Sequence, residues 1–196
     1  MSSPLWARLL EVVERDILPL TRASVPTGNK IFGAAILRSS DRSLVVAGTN
    51  EETACPLWHG EMSAIRNLYR LADNERIAPA ECLFLSTHEP CSMCLSAITW
   101  AGYTNIYYLF RYEQTRDRFR IPHDLKILKE VFRCDDGDYA HENAYWKSYD
   151  IVAAIEQLPA PERVALLETV ERLQRYYDEL SHAYQSTKSN NAIPLP

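Results

Sequence analysis

Residues 82–102 read CLFLSTHEPCSMCLSAITWAG, and the periodicity changes in the middle of the stretch. Cys82 to Ser86 is a short apolar run of strand length. Pro90 then opens a helix over Cys91 to Ala101, and Gly102 stops it. A strand that feeds a helix through a short loop is an α/β building block, and the flanking sequence supplies more of them. On the N-terminal side, Pro4 to Leu18 predicts a helix with Leu5, Leu9, Val12, Val13 and Ile17 on one side, ended by Pro19. Ile31 to Leu37 and Leu44 to Ala47 predict two strands joined by a polar turn. Gly60 to Leu71 predicts a helix with the stripe Met62, Ile65, Leu68, Tyr69 and Leu71. On the other side, Asn105 to Phe110 predicts the next strand. The order α-β-β-α-β-α-β implies an α/β fold, a three-layer α-β-α sandwich with right-handed crossovers between parallel strands.

Beyond Phe110 the pattern thins. Pro122 to Phe132 has room for a short helix, and Asp135 to Tyr149 reads as a polar, aromatic loop. Pro161 to Gln185 is helical, with Leu166, Val170, Leu173, Tyr177, Leu180 and Tyr184 spaced 4-3-4-3-4 as a coiled-coil-like seam. That seam either packs on its own domain or forms a dimer or partner interface. Residues 1–150 are expected to form one domain and 151–185 a helical C-terminal extension. The tail 186–196 is expected to be disordered.

The chain has 196 residues, 46% hydrophobic and 24% charged, with a net charge of −5. No apolar run approaches the roughly 18–20 residues that span a bilayer. Met1 to Leu20 interleaves charges with apolar residues as an amphipathic helix does, unlike a signal peptide. Cys55, Cys82 and Cys134 make a poor disulfide set, so a reducing cytoplasm is expected. Nucleic-acid binding usually shows a basic footprint, and an acidic chain argues against it. The cluster Arg111, Arg116, Arg118 and Arg120 is interleaved with acids and reads as a solvated surface.

His59, Cys91 and Cys94 are three ligands suited to Zn²⁺, and no further C-x-x-C or H-x₃₋₅-H pair supplies a fourth. A structural zinc takes four protein ligands, whereas a catalytic one leaves a position to water, so the count favours an open site, one Zn²⁺ per chain. Both halves of the motif lie at predicted helix N-termini, where ligand sites of such sheets gather and the helix dipole favours thiolate. Zinc lowers the pKa of its bound water from 15.7 to about 7, and hydroxide so formed attacks an amidine carbon bearing an exocyclic amine. Glu61, two residues from His59, is placed to take the water proton and return it to the ring nitrogen and departing amine.

The spacing H-x-E…P-C-x-x-C resembles the signature of zinc-dependent nucleobase deaminases. From about Ile31 to Phe110 the chain resembles the cytidine and deoxycytidylate deaminase superfamily. Phe32-Gly33-Ala34 is similar to a P-F-G-A segment of its first strand, with Ile31 in place of Pro. Thr49-Asn50, His59-Gly60-Glu61 and Glu89-Pro90-Cys91-Ser92-Met93-Cys94 are similar to its later blocks. The resemblance implies a cytidine-deaminase-like fold, zinc on His59, Cys91 and Cys94, and Glu61 as the catalytic proton shuttle. It implies that the Gly60 N–H and the Glu89 carbonyl touch the base, Asn50 its polar edge, and Phe32 its surroundings. It also implies a homodimer or higher oligomer.

Gly60 is similar to fungal-type cytosine deaminases, whereas Glu89 resembles guanine deaminases and tRNA adenosine deaminases. C-terminal segments often complete the pocket in this superfamily, so Trp146 and Tyr149 are candidates to stack on a base. Asp135, Asp136, Asp138 and Glu142 are candidates to read ring N–H groups, which would suit guanine. The expected activity is hydrolytic deamination of a small free base, with guanine ahead of cytosine. Deamination of a nucleotide, of tRNA adenosine, or of a pterin or triazine stands as the alternative. A non-catalytic zinc domain with a partner-binding helix is the reading from another class.

Overall fold

The computed structural model describes residues 3–196. Its strands are Gly33–Arg38 (β1), Leu44–Thr49 (β2), Cys82–His88 (β3), Asn105–Phe110 (β4) and Lys147–Asp150 (β5), joined in the order β2-β1-β3-β4-β5. β1 runs antiparallel to both β2 and β3, while β3, β4 and β5 are mutually parallel. Its helices are Ser3–Val12 (α1), Leu18–Ser24 (α2), Gly60–Arg70 (α3), Ser92–Trp100 (α4), Tyr112–Asp117 (α5), His123–Phe132 (α6), Ile151–Glu156 (α7) and Ala160–Thr187 (α8). The mixed sheet with helices on both faces is the α-β-α sandwich that the sequence implies.

Period-2 alternation divides the core. Ala34, Ile36, Phe84 and Ile106 face one way, with Leu68 of α3 and Leu95 and Ile98 of α4. Ala35, Leu37, Leu83, Leu85, Tyr107 and Leu109 face the other, against α1, α7 and α8. Both faces of β1 and β3 are covered, so these strands read as near-continuous apolar runs. The α8 seam of Leu166, Val170, Leu173, Tyr177, Leu180 and Tyr184 belongs to the second of these clusters. It faces the chain's own core.

Four segments differ from the sequence expectation. Pro19 does not end the first helix. Residues 13–17 form a π turn, with the Leu18 N–H bonded to the Val13 carbonyl, and α2 resumes beyond it. The wider turn shifts the register where the Pro19 ring would otherwise meet the Arg15 carbonyl. Lys147–Asp150 lies inside the expected loop yet pairs in parallel with β4. It is a short, mostly polar edge strand with no alternating pattern to reveal it. Tyr112–Asp117 makes a further short helix after β4. The tail is not loose: the Asn191 side chain donates to the Gly28 carbonyl at 2.9 Å, and Ile193 is buried.

Candidate functional site

β3 ends at His88, and the chain turns through Glu89 and Pro90 into α4. Cys91 is the N-cap of α4, and Cys94 lies in its first turn. His59 is the N-cap of α3, and Glu61 lies in that helix's first turn. Two helix N-termini therefore converge on one point, where their dipoles favour anionic ligands. His59 Nδ1 lies 3.6 Å from Cys91 Sγ and 3.7 Å from Cys94 Sγ, and all three ligand atoms fall within 4.8 Å of one another. Zn–S of about 2.3 Å and Zn–N of about 2.0–2.1 Å at a tetrahedral angle place nitrogen and sulfur about 3.6 Å apart. The triangle therefore fits a zinc ion. Among the described residues it is the only cluster of at least three His, Cys, Asp or Glu so arranged.

Charge within the cluster is already separated. A hydrogen bond from Cys94, then the neighbouring His59, holds the Cys91 thiol well below its ordinary pKa against the effect of burial. Burial and the adjacent Cys91 thiolate push Cys94 up. Burial alone would lower His59, but its contacts with Cys91 and Glu52 raise it to about 11. Glu61 is buried, accepts from Ser86 Oγ at 3.0 Å, and has its second oxygen 3.4 Å from Cys94 Sγ. Burial, then the Cys91 thiolate, raises its pKa.

Residues 11–110 match the family described as "Cytidine and deoxycytidylate deaminase zinc-binding region". The chain belongs to this deaminase family. The family is a zinc-binding one, and the His59–Cys91–Cys94 triangle is the candidate site for one Zn²⁺. Among similar proteins, guanine deaminase of Bacillus subtilis (strain 168) is 33% identical over 79 residues, 39% of this chain and 48% of the relative. Cytosine deaminase of Candida albicans is 33% identical over 91 residues, 45% of this chain and 58% of the relative. The chain thus spans about half the length of the curated relatives it matches. The solved guanine deaminase of Bacillus subtilis superposes with a TM-score of 0.51 at 24% identity, over 83% of this chain and 93% of that one. That of Nitrosomonas europaea gives 0.50 at 20%, over 89% and 84%. At these identities the structures speak for a shared fold.

Beside the deaminase motif lies a cavity of about 260 Å³, walled by Phe32, Leu57, Ile121, Ile127, Ile193 and Leu195, with polar points at Lys30, Glu52, His59 and Asp124. Phe32 lines this cavity. Asn50 and Gly60 are adjacent but bonded to each other: the Gly60 N–H donates to Asn50 Oδ1 at 2.6 Å, and Asn50 Nδ2 donates to Glu52 Oε2 at 2.7 Å. A Cβ on Gly60 would lie 2.5 Å from the Gly33 Cα, so backbone packing by itself calls for glycine there. The Glu89 side chain turns away from the cavity. It accepts from Tyr139 Oη at 2.8 Å and from the Tyr112 N–H at 3.1 Å, and burial pushes its pKa up to about 7.

The aromatic candidates are corrected by the structure. Trp146 donates to Thr99 Oγ1 at 2.7 Å behind α4, and Tyr149 stacks on Tyr107 with ring centroids 4.9 Å apart. Neither lines the cavity, because Tyr149 in β5 and Trp146 just before it lie at the far edge of the sheet. Asp136 and Asp138 line a separate, open cavity with Glu89 and Arg111; Asp135 and Glu142 line neither. Sequence reasoning missed Asp124, Glu52, Lys30 and the tail. Asp124 finds no hydrogen-bond partner among the described residues, and desolvation, then the Cys91 thiolate, raises its pKa well above its ordinary value. A lone acid in a helix's first turn carries no signal in sequence beyond a favourable dipole.

Proposed function

We propose that the chain is a zinc-dependent hydrolase that deaminates a free nucleobase, with guanine as the preferred base. The observation that carries this reading is the joint placement of the His59–Cys91–Cys94 triangle, buried Glu61 and an apolar cavity with one unpartnered carboxyl, Asp124. When bound, zinc supplies Lewis-acid activation of a water beside the amine-bearing carbon. His59, Cys91 and Cys94 hold it. Ser86 fixes one oxygen of Glu61, leaving Oε2 to take a first proton from the water and pass it to the ring nitrogen, then to take the second from the added hydroxyl and pass it to the amine, which leaves as ammonia. Phe32, Ile121, Ile127 and Leu195 enclose a flat heterocycle and exclude solvent. Asp124 accepts from N–H groups on the base edge. Guanine offers a ring N–H beside its amine, whereas free cytosine offers fewer donors to read, which favours the purine. Lys30 does not present a free cation to phosphate, since Glu52 pairs it at 2.7 Å. That supports a free base over a nucleotide or tRNA.

Ammonia release measured across guanine, cytosine, adenine and their nucleosides tests this reading. Guanine is expected to give the highest kcat/KM. Glu61→Gln is expected to keep its zinc while kcat falls by roughly 10²–10⁴-fold. Wild-type turnover in that variant would end the proton-shuttle assignment, and silence on every base would end the functional one. Cytosine ahead of guanine would reverse the substrate order.

A further inference from the structure

Lys30 and Glu52 form an ion pair at 2.7 Å whose side chains are only 5% and 1% exposed. Two buried charges cost desolvation, and an apolar pair of similar volume often serves a core at least as well. The pair therefore calls for an account of its position. Lys30 stands on the loop entering β1, and Glu52 stands two residues past Asn50, on the loop between β2 and α3. They meet directly behind His59.

The contacts around Glu52 converge on that ring. Oε1 accepts from Lys30 Nζ and lies 3.5 Å from His59 Nε2, while Oε2 accepts from Asn50 Nδ2 at 2.7 Å. Asn50 in turn takes the Gly60 N–H at 2.6 Å, at the first residue of α3. Both Glu52 oxygens are thus held by donors from outside the metal site. His59 Nδ1 faces the two cysteine sulfurs, so Nε2 is left to carry the ring proton. No acceptor for it other than Glu52 is found among the described residues. A metal-bound imidazole that donates its other N–H to a carboxylate has its tautomer and orientation fixed and is a stronger ligand.

We propose that Glu52, clamped by Lys30 and Asn50, is a positioning residue for His59: it accepts the Nε2–H, which keeps the ring proton on Nε2 and presents the Nδ1 lone pair to zinc. Lys30 neutralises the carboxylate, so that the proton stays on the ring and Glu52 does not become a ligand itself.

Zinc affinity, measured by competition with a chromophoric chelator, tests the proposal without recourse to turnover. Glu52→Gln is expected to raise the zinc Kd by roughly 10–100-fold, the range seen when the outer partner of a metal-bound histidine is lost. Because removing one charge strands the other, Lys30→Met/Glu52→Met serves as the second variant. It removes both charges, is expected to stay folded by circular dichroism, and is expected to show the same or a larger rise in Kd. Lys30→Met alone keeps the carboxylate and is expected to bind zinc more tightly than the double variant. A folded double variant with wild-type zinc affinity would overturn the proposal, as would a Glu52→Gln variant that loses stability but no affinity. The outcome is separable from the functional reading: a chain silent on every base could still require Glu52 to bind zinc.

Discussion

His88 stands three residues before the first cysteine of the motif, yet it is enclosed by rings rather than by ligands. Phe32, Phe110, Phe119 and Tyr177 surround it at centroid distances of 4.5 to 5.5 Å. Its Nδ1 pairs with Thr87 Oγ1 at 2.9 Å, and Nε2 has no partner among the described residues. Burial holds its pKa well below the ordinary 6.5. In the unfolded chain His88 takes up a proton near pH 6.5, whereas in the fold it does so only at much lower pH. The unfolded state therefore binds more protons below 6.5, and stability falls as pH drops from there toward the folded pKa, by up to about 1.4 kcal/mol per unit. Urea unfolding between pH 6.5 and 5 is expected to show this slope in the wild type and less of it in His88→Phe, which suits the cage. An equal slope in both would assign the acid sensitivity elsewhere. His88 also illustrates what sequence can tell about a single residue. The His59, Cys91 and Cys94 cluster could be anticipated because zinc accepts few residue types at fixed spacing, and the structure brings these three together. Glu52 and Asp124 could not, since a carboxylate is unremarkable until its neighbours are known.

Elements were legible where their pattern was long. The 4-3-4-3-4 seam located α8 to within two residues at each end, and the apolar runs located β1, β3 and β4. The short polar β5 was not legible, nor was the π turn that carries the first helix past Pro19. α8 does more than cover the sheet. Arg172 grips Glu14 at 2.7 and 3.0 Å, while Ser181 and Gln185 donate to the Phe119 carbonyl at 2.9 and 3.0 Å. Phe119 leads directly to Ile121 on the cavity wall. Leu173, fully buried mid-seam, tests the contribution of this packing. Leu173→Ala is expected to cost about 3 kcal/mol through lost burial and a residual cavity. For a chain of this size that corresponds to a Tm lower by roughly 6–12 °C, with zinc content unchanged. A shift under about 2 °C would mean that α8 is only loosely seated.

Across the whole molecule, the sheet order brings the ends of β1, β2 and β3 to the N-termini of α3 and α4, and the segment 193–195 lies over the same point. The fold class was readable because the α-β order constrains topology. The position of that segment was not, because residues 186–196 contain no periodic pattern and are held by single contacts such as Asn191 to Gly28. The candidate zinc site lies at the junction of these parts, so removal of the metal is expected to be felt globally. His59, Cys91 and Glu61 are then left as charged or strongly shifted groups in a desolvated space. Binding to the folded state alone stabilises it by RT ln(1 + [Zn]/Kd), about 4 kcal/mol at a thousandfold excess over Kd. Chelation with a strong zinc ligand is expected to lower Tm by roughly 8–16 °C and to abolish ammonia release. Added Zn²⁺ should restore both, and Mg²⁺ neither, since two thiolates and an imidazole are poor ligands for a hard cation. Chelated protein that melted with the untreated chain would show that the fold does not depend on the metal. The convergence of the two helix N-termini would then have to be held by the Asn50–Gly60 bond and the Gly33–Gly60 contact alone.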